Sequence, residues 1–227
     1  YSKTLLTRIP SMPLVITLAH QKGGVGKSTL ASNLRSYFSQ VYKTALVDID
    51  PQGSLAKLAK AFAEQKDRES EHVISRTDFD SFEELREKIS SYDVVIIDTP
   101  PYLSSELESV FALSNIIIIP TKTSPLDFLA IGDTMELIKT HQQNNPSLLA
   151  GVVLTMVISG TDFTGHIRKE IEQTDFHVFS TEVGNRVAYM RSLLKGNSVE
   201  ADDSKKAWSE IQSLGEEIIS YLKANYE

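Results

Sequence analysis

An apolar run, Leu14 to Ala19, stops at Gln21-Lys22-Gly23-Gly24-Val25-Gly26-Lys27-Ser28-Thr29, and an amphipathic segment follows. Strand, glycine-rich loop and helix start are thereby set in one order, the layout of a phosphate cradle. In such a cradle backbone N–H groups converge on the ligand, the helix N-terminus adds positive potential, and a lysine reaches the terminal phosphates. The stretch points to a nucleoside triphosphate before anything else in the chain is considered.

Along the rest of the chain, apolar β-branched runs alternate with longer amphipathic segments. Strands are expected at Leu14–Ala19, Thr44–Asp48, His72–Ser75, Asp93–Asp98, Asn115–Pro120, Ala150–Val157 and His177–Ser180. Helices are expected at Ser28–Gln40, Ser54–Ala63, Ser81–Ser90, Leu126–Asn144, Phe163–Gln173 and Lys205–Ala224, with Ser81-Phe82-Glu83-Glu84 as a capping box. The runs Val94–Ile97 and Ile116–Ile119 have no polar alternation. Strands of that kind are covered on both faces, as in a parallel sheet between helices. The class is therefore α/β: a doubly wound, mostly parallel twisted sheet with helices on both faces.

At 227 residues and 41% hydrophobic the chain has ample material for one core. A single domain over 1–227 is expected, with residues 1–13 as an N-terminal extension. The first residue is Tyr1 rather than Met, which fits a numbering that begins inside the natural chain or after processing. Its opening residues are too soon interrupted for a signal peptide, and no apolar run approaches the roughly 20 residues of a membrane span. With no cysteine there are no disulfides, iron–sulfur clusters or thiolate zinc sites, and a cytoplasmic location fits. A net charge of −7 argues against a globally basic nucleic-acid binder but not against a local basic patch. The mixed-sign run Glu64–Glu71 reads as a solvated loop or a frayed helix end.

The loop departs from the pattern G-x-x-x-x-G-K-[ST], because Gln21 holds the first glycine position and an additional lysine stands at 22. The cradle survives this. Gly23, Gly24 and Gly26 allow close backbone approach. Lys27 is placed for the β/γ-phosphates and the Ser28 hydroxyl for Mg²⁺. Lys22 cannot easily reach the same phosphates, but it could neutralise those bound by a second molecule, since a cation supplied in trans is one way to stabilise phosphoryl transfer. Asp48 and Asp98 each end an apolar strand. Ligands of open α/β sheets lie beyond the carboxyl ends of the strands, so both carboxylates belong at the phosphate end. Mg²⁺ keeps several waters, so Asp98 is expected to hold it through a water and Ser28 directly. The alternative for Asp48, Asp50 and Asp98 is a loop carboxylate that caps the next helix. Pro100-Pro101 stiffens a loop placed to sense the γ-phosphate.

Lys22 to Thr29 resembles the deviant Walker A motif of the ParA/MinD ATPases, with Lys22 at the signature lysine. Asp48-Ile49-Asp50-Pro51-Gln52-Gly53-Ser54 is similar to the second acidic motif of the ParA branch, and Val94–Pro101 to the Walker B strand and switch loop. Weaker similarity runs through Gly151–Met156, so the resemblance covers about residues 14 to 222. It implies ATP and Mg²⁺ as ligands, with Gly23, Gly24, Val25, Gly26, Lys27, Ser28 and Thr29 around the phosphates. It implies Ser28, Asp48 and Asp98 at the metal, and Lys22, Lys27 and Asp50 in catalysis, Asp50 orienting the attacking water. It further implies slow, partner-stimulated hydrolysis, an ATP-dependent homodimer, a ParB-like activator, and non-specific DNA contacts on C-terminal basic residues. Nucleoid association in the ATP-bound state would follow.

For the base, Thr121-Lys122-Thr123-Ser124 carries serine where a guanine reader needs aspartate, which favours ATP. Adenine is expected near Met156 and the Thr181–Asn185 segment, with core filling as the other reading of Met156. Residues 183–199 hold Arg186, Arg191 and Lys195 and no acid. They are candidate DNA contacts, or else cations on a solvated helix face. The last helix is apolar on one side and acidic on the other, a core-packing pattern rather than a membrane-binding one. Partition of a plasmid or chromosome is the leading reading. Positioning of a protein assembly by the same machinery and a metabolic P-loop ligase are the alternatives.

Overall fold

The computed structural model describes residues 13–66, 72–102, 105–158, 163–194, 198–199 and 204–226. Seven strands form one sheet: β1 Leu14–Leu18, β2 Thr44–Asp48, β3 Val73–Ser75, β4 Val94–Asp98, β5 Ile116–Lys122, β6 Leu149–Val157 and β7 His177–Gly184. Their order is β3-β2-β4-β1-β5-β6-β7, and every pairing is parallel. The helices are α1 Lys27–Ser39, α2 Ser54–Lys66, α3 Phe82–Ile89, α4 Glu106–Leu113, α5 Pro125–Asn144, α6 Phe163–Glu172, α7 Val187–Leu194 and α8 Lys205–Tyr226. The doubly wound α/β expectation holds, and "mostly parallel" becomes wholly parallel among the described strands.

The unalternated strands bury both faces, as their composition requires. Along β1, Leu14, Ile16 and Leu18 pack with Leu30, Leu34 and Phe38 of α1 and with Ile211, Leu214 and Ile218 of α8. Val15 turns to the opposite core with Leu85 of α3, Phe111 of α4, Ile131 of α5 and Ile167 of α6. The apolar side of α8 thus lies in the interior, as its acidic outer side suggested. Gly215 lets α8 approach α1. A Cβ added there would lie 2.2 Å from Cε1 and 2.9 Å from Cζ of Tyr37. Gly215→Ala should therefore destabilise the protein, because overpacking costs about 1–3 kcal/mol and exceeds the gain of up to about 1 kcal/mol from better helix propensity. A melting temperature at or above that of the wild type would contradict this packing.

Two helices, α4 and α7, and a 3-10 turn at Arg76–Asp78 were not expected. Both helices have only eight residues, too few turns for the 3.6 period to stand out. The Ser81 box is half formed. The Ser81 hydroxyl accepts the Glu84 N–H at 3.2 Å, but the Glu84 carboxylate accepts from Asp80 rather than Ser81. The proposed extension lies, up to residue 12, outside the described residues, as do residues 67–71 of the charged run and Lys195.

Candidate functional site

β1 ends at the middle of the sheet, between β4 and β5, and the glycine loop opens there. Gly24 and Gly26 take φ of 68° and 97°, left-handed values that a side chain would strain. Gly26 is the N-cap of α1 and supplies no side-chain hydrogen bond, and the first turn carries no acid. The leading N–H groups of a long helix are thus left for an anion. Lys27 is buried, with Nζ donating to the carbonyls of His20 at 3.0 Å and Lys22 at 3.2 Å. Burial pulls its pKa below the usual lysine range, against the pull of Asp98 and Asp50. His20, which the sequence reading passed over, accepts the Lys22 N–H on Nδ1 at 2.8 Å. Burial and then Lys27 hold its pKa down at about 4, so it is neutral at pH 7.

Parallel register, rather than sequence proximity, joins the carboxylates. Asp48 of β2 and Asp98 of β4 are register partners, and Leu18 at the end of β1 pairs with Asp98 from the other side. Burial pushes the Asp98 carboxyl up to about 7; the Ser28 hydrogen bond opposes this and the neighbouring Asp48 adds to it. Asp98 Oδ1 is buried without a hydrogen-bond partner. A carboxyl oxygen left bare beside a serine hydroxyl and a phosphate cradle is a fit for Mg²⁺, whose charge favours the ionised form and which takes one or two carboxylates together with phosphate oxygens. Among the described residues no group of three or more His, Cys, Asp or Glu side chains is placed to hold a metal ion.

Asp48 takes up the capping role that stood as the alternative to metal binding. Its Oδ2 accepts the N–H groups of Leu55 at 2.9 Å and Ala56 at 3.0 Å, and its Oδ1 accepts that of Asp50 at 3.2 Å. It caps the start of α2, and any part it has in metal binding must use what remains of Oδ1. Asp50 lies partly exposed on the following loop, which Gly53 (φ 58°) turns back so that its N–H reaches the Asp50 carbonyl at 2.7 Å.

The raised Asp98 pKa has a consequence for stability. An acid whose folded pKa lies above its unfolded value binds a proton on folding, and its contribution to stability declines as pH rises between the two. Here that window runs from 3.8 to about 7. Without metal or nucleotide, the melting temperature of Asp98→Asn relative to wild type should rise on going from pH 5 to pH 8. A pH-independent difference would remove Asp98 as the titrating group.

Lys22 does not project free into solvent. Its Nζ lies 2.5 Å from Asp127 Oδ1, with side-chain exposures of 43% and 6%. Asp127 sits in the first turn of α5 and accepts the Ser124 hydroxyl at 2.6 Å, while Ser124 caps that helix by accepting the Asp127 N–H. Ser124 is thus an N-cap where a guanine reader would need an acid. Burial alone would raise the Asp127 pKa, but hydrogen bonds from Lys22 and Ser124 bring it below the usual range. Nothing in the linear sequence pairs residues 22 and 127.

Beside the loop lies a largely apolar cleft of about 180 Å³, lined by Gly26, Thr29, Leu30, Thr155, Met156, Val183, Asn185, Tyr189 and Met190 among others. Met156 and the 181–185 segment come together as expected, and α7 adds the unforeseen wall of Tyr189 and Met190. Met156 has φ 51°, a left-handed value uncommon outside glycine. Strained backbone of this kind concentrates at ligand sites.

Of the basic candidates, Arg186 is paired within the protein. Its Nε donates to both Glu210 oxygens at 3.0 and 3.1 Å, its Nη2 also meets Glu210, and Tyr189 OH donates to the same carboxylate at 2.9 Å. The acid that the local sequence lacks reaches Arg186 from α8, so Arg186 ties the start of α7 to α8. Arg191 is exposed, and Lys195 is outside the described residues.

The model of the CobQ/CobB/MinD/ParA nucleotide binding domain matches residues 16–199. The chain belongs to this family. Among members of the CobQ/CobB/MinD/ParA family, the maintenance of carboxysome distribution protein A of Halothiobacillus neapolitanus is 30% identical over 185 residues, 81% of this chain and 85% of that protein. Solved structures share the fold, two of them as follows. A plasmid partition protein of Borrelia burgdorferi bound to AMPPNP has TM-score 0.71 and 21% identity, covering 92% of this chain and 99% of the other. Cobyrinic acid a,c-diamide synthase of Mycobacterium smegmatis, with an ATP analogue and magnesium, has TM-score 0.73 and 19% identity, covering 94% and 96%. Fold alone therefore does not separate a positioning ATPase from a synthase within the CobQ/CobB/MinD/ParA family.

Proposed function

We propose that this protein is an Mg²⁺-dependent ATPase whose ATP-bound form dimerises and positions a cargo on non-specific DNA. The observation that carries the reading is Lys22: a half-exposed cation ahead of a complete phosphate cradle, held by Asp127 beside exposed Leu126 and Leu129. Leu126 and Leu129, near the start of α5 with Asp127, are 72% and 71% exposed. Apolar side chains there suit a face covered by a second copy, whose nucleotide Lys22 would meet on leaving Asp127. Ser28 and Asp98 would hold Mg²⁺, which neutralises charge on the β/γ-phosphates. Lys27 exchanges the carbonyls of His20 and Lys22 for phosphate oxygens. Asp50 holds the attacking water, and the apolar cleft takes adenine. Slow turnover opens the dimer, and a ParB-like partner hastens it.

The cargo has two readings. Likeness to a carboxysome distribution protein favours a protein assembly, and likeness to a plasmid partition protein favours DNA. The ligase reading is disfavoured by Lys22 together with Asp50-Pro51-Gln52-Gly53. Among the described residues no helix is long and apolar enough to cross a membrane. Light scattering with ATP and Mg²⁺ should show a doubling of mass, and a mobility shift with plasmid DNA should depend on ATP. A monomer that leaves DNA unshifted would favour the ligase. Arg191→Glu should weaken the shift on every sequence alike and flatten its salt dependence by about one ion per protomer; an unchanged shift would remove α7 from the interface.

A further inference from the structure

The Val25 peptide poses a problem of control. Val25 is fully buried between two glycines in left-handed backbone. Rotating the Val25–Gly26 peptide plane changes ψ of Val25 and φ of Gly26, and glycine populates both signs of φ about equally. Sterics on the Gly26 side therefore do not set which way this peptide faces. A trans peptide holds its N–H antiparallel to its C=O. If the carbonyl turned into the loop, the Gly26 N–H would turn out of it, and a phosphate would meet a carbonyl dipole in place of a donor.

One side chain opposes that rotation. Thr155, 2% exposed at the carboxyl end of β6, donates its hydroxyl to the Val25 carbonyl at 2.8 Å, across 130 positions of sequence. The Thr121 carbonyl shares the proton at 3.2 Å. Thr155 pairs with Val183 of β7 just before the ladder becomes irregular between Thr155 and Val157, where Met156 turns left-handed. A Cβ built on Gly26 would lie 4.0 Å from the Thr155 Cβ, so strand and loop are in contact at this point. Thr155 also lines the apolar cleft and so adjoins both parts of the site.

We propose that Thr155 is the positioning residue of the phosphate cradle: its hydroxyl pins the Val25 carbonyl against β6 and thereby aims the Gly26 N–H at the phosphate chain. This rests on the nucleotide reading above. ADP and adenosine are titrated by nuclear magnetic resonance into the wild type, Thr155→Val, which removes the hydroxyl at nearly constant shape, and Thr155→Ser, which keeps it. Melting temperatures are taken without ligand. Thr155→Val should lose about ten- to a hundredfold in ADP affinity, the range for one hydrogen bond to a charged group. Its adenosine affinity should change by less than about twofold, and Thr155→Ser should restore ADP binding. A merely structural role would lower the melting temperature and weaken both ligands alike, and that result overturns the proposal. So does ADP affinity in Thr155→Val equal to wild type, or a serine variant no better than valine. Thr155→Ala, which adds no methyl beside the two carbonyls, carries the same test should the valine variant not fold. A wild type that binds neither ligand overturns the nucleotide reading and this proposal together; a wild type that binds ADP with an indifferent valine variant overturns this proposal alone.

Discussion

Lys22→Ala is expected to bind ATP and to fail to dimerise on it. Lys22 touches the cradle only through its backbone, whose N–H goes to His20 and whose carbonyl takes Lys27. Alanine keeps both groups, so the loop and its affinity for a nucleotide should persist. The side chain is bound to Asp127, which keeps its hydrogen bond from Ser124 when Lys22 is cut back. The fold should therefore lose little, since a pair whose lysine is nearly half exposed contributes no more than about 1 kcal/mol. What disappears is the cation for the second nucleotide. A cation supplied in trans is worth about 10³–10⁵ in turnover, so hydrolysis should fall by about that factor together with the dimer. Light scattering in ATP and Mg²⁺, with nucleotide binding measured in parallel, separates the two effects; an intact dimer would refute the role in trans. Asp127→Asn is the matched control. It weakens the tether without touching the cation, and should raise the dimer fraction at limiting ATP.

Asp50→Ala is expected to trap the ATP-bound dimer. The Asp50 backbone shapes the loop after β2 through the Gly53 N–H, while its carboxylate takes only the Gln52 N–H, at 2.9 Å. The side chain can thus be removed at small structural cost. Its charge is felt at both Lys27 and Asp98, which places it at the phosphate end of the sheet. Loss of a positioned proton acceptor lowers turnover by about 10²–10⁴, while the cradle and Lys22 remain to hold nucleotide and partner. Single-turnover hydrolysis on the isolated dimer measures this; undiminished turnover would reject Asp50 as the group that orients the water.

Much of the site was legible because its parts are local. The glycines, Lys27 and Ser28 lie within one loop, and their chemistry follows from spacing along the chain. Asp98 was legible because a carboxylate ending an apolar strand must emerge at the carboxyl edge of the sheet. Asp48 shows where such reasoning stops. Its position is as expected, but the turn through Gly53 brings the start of α2 back over it, so that amide groups occupy its oxygens. Arg186 is the complementary case. A window free of acids says nothing of Glu210, 24 positions on, which α8 delivers to the same guanidinium. The short helix α7 escaped notice, and with it the Tyr189 and Met190 wall of the cleft.

From its residue order alone this chain was committed to a parallel α/β sheet and to a phosphate-binding loop. Continuous apolar strands cannot leave a face in water, and consecutive glycines before Gly-Lys-Ser leave few other uses for a helix start. Which side chains meet across that sheet was decided only by packing. Lys22 with Asp127, Asp48 beside Asp98, and Thr155 beneath Val25 are joined by strand order and register, which bring together residues 50 to 130 positions apart that no local pattern connects.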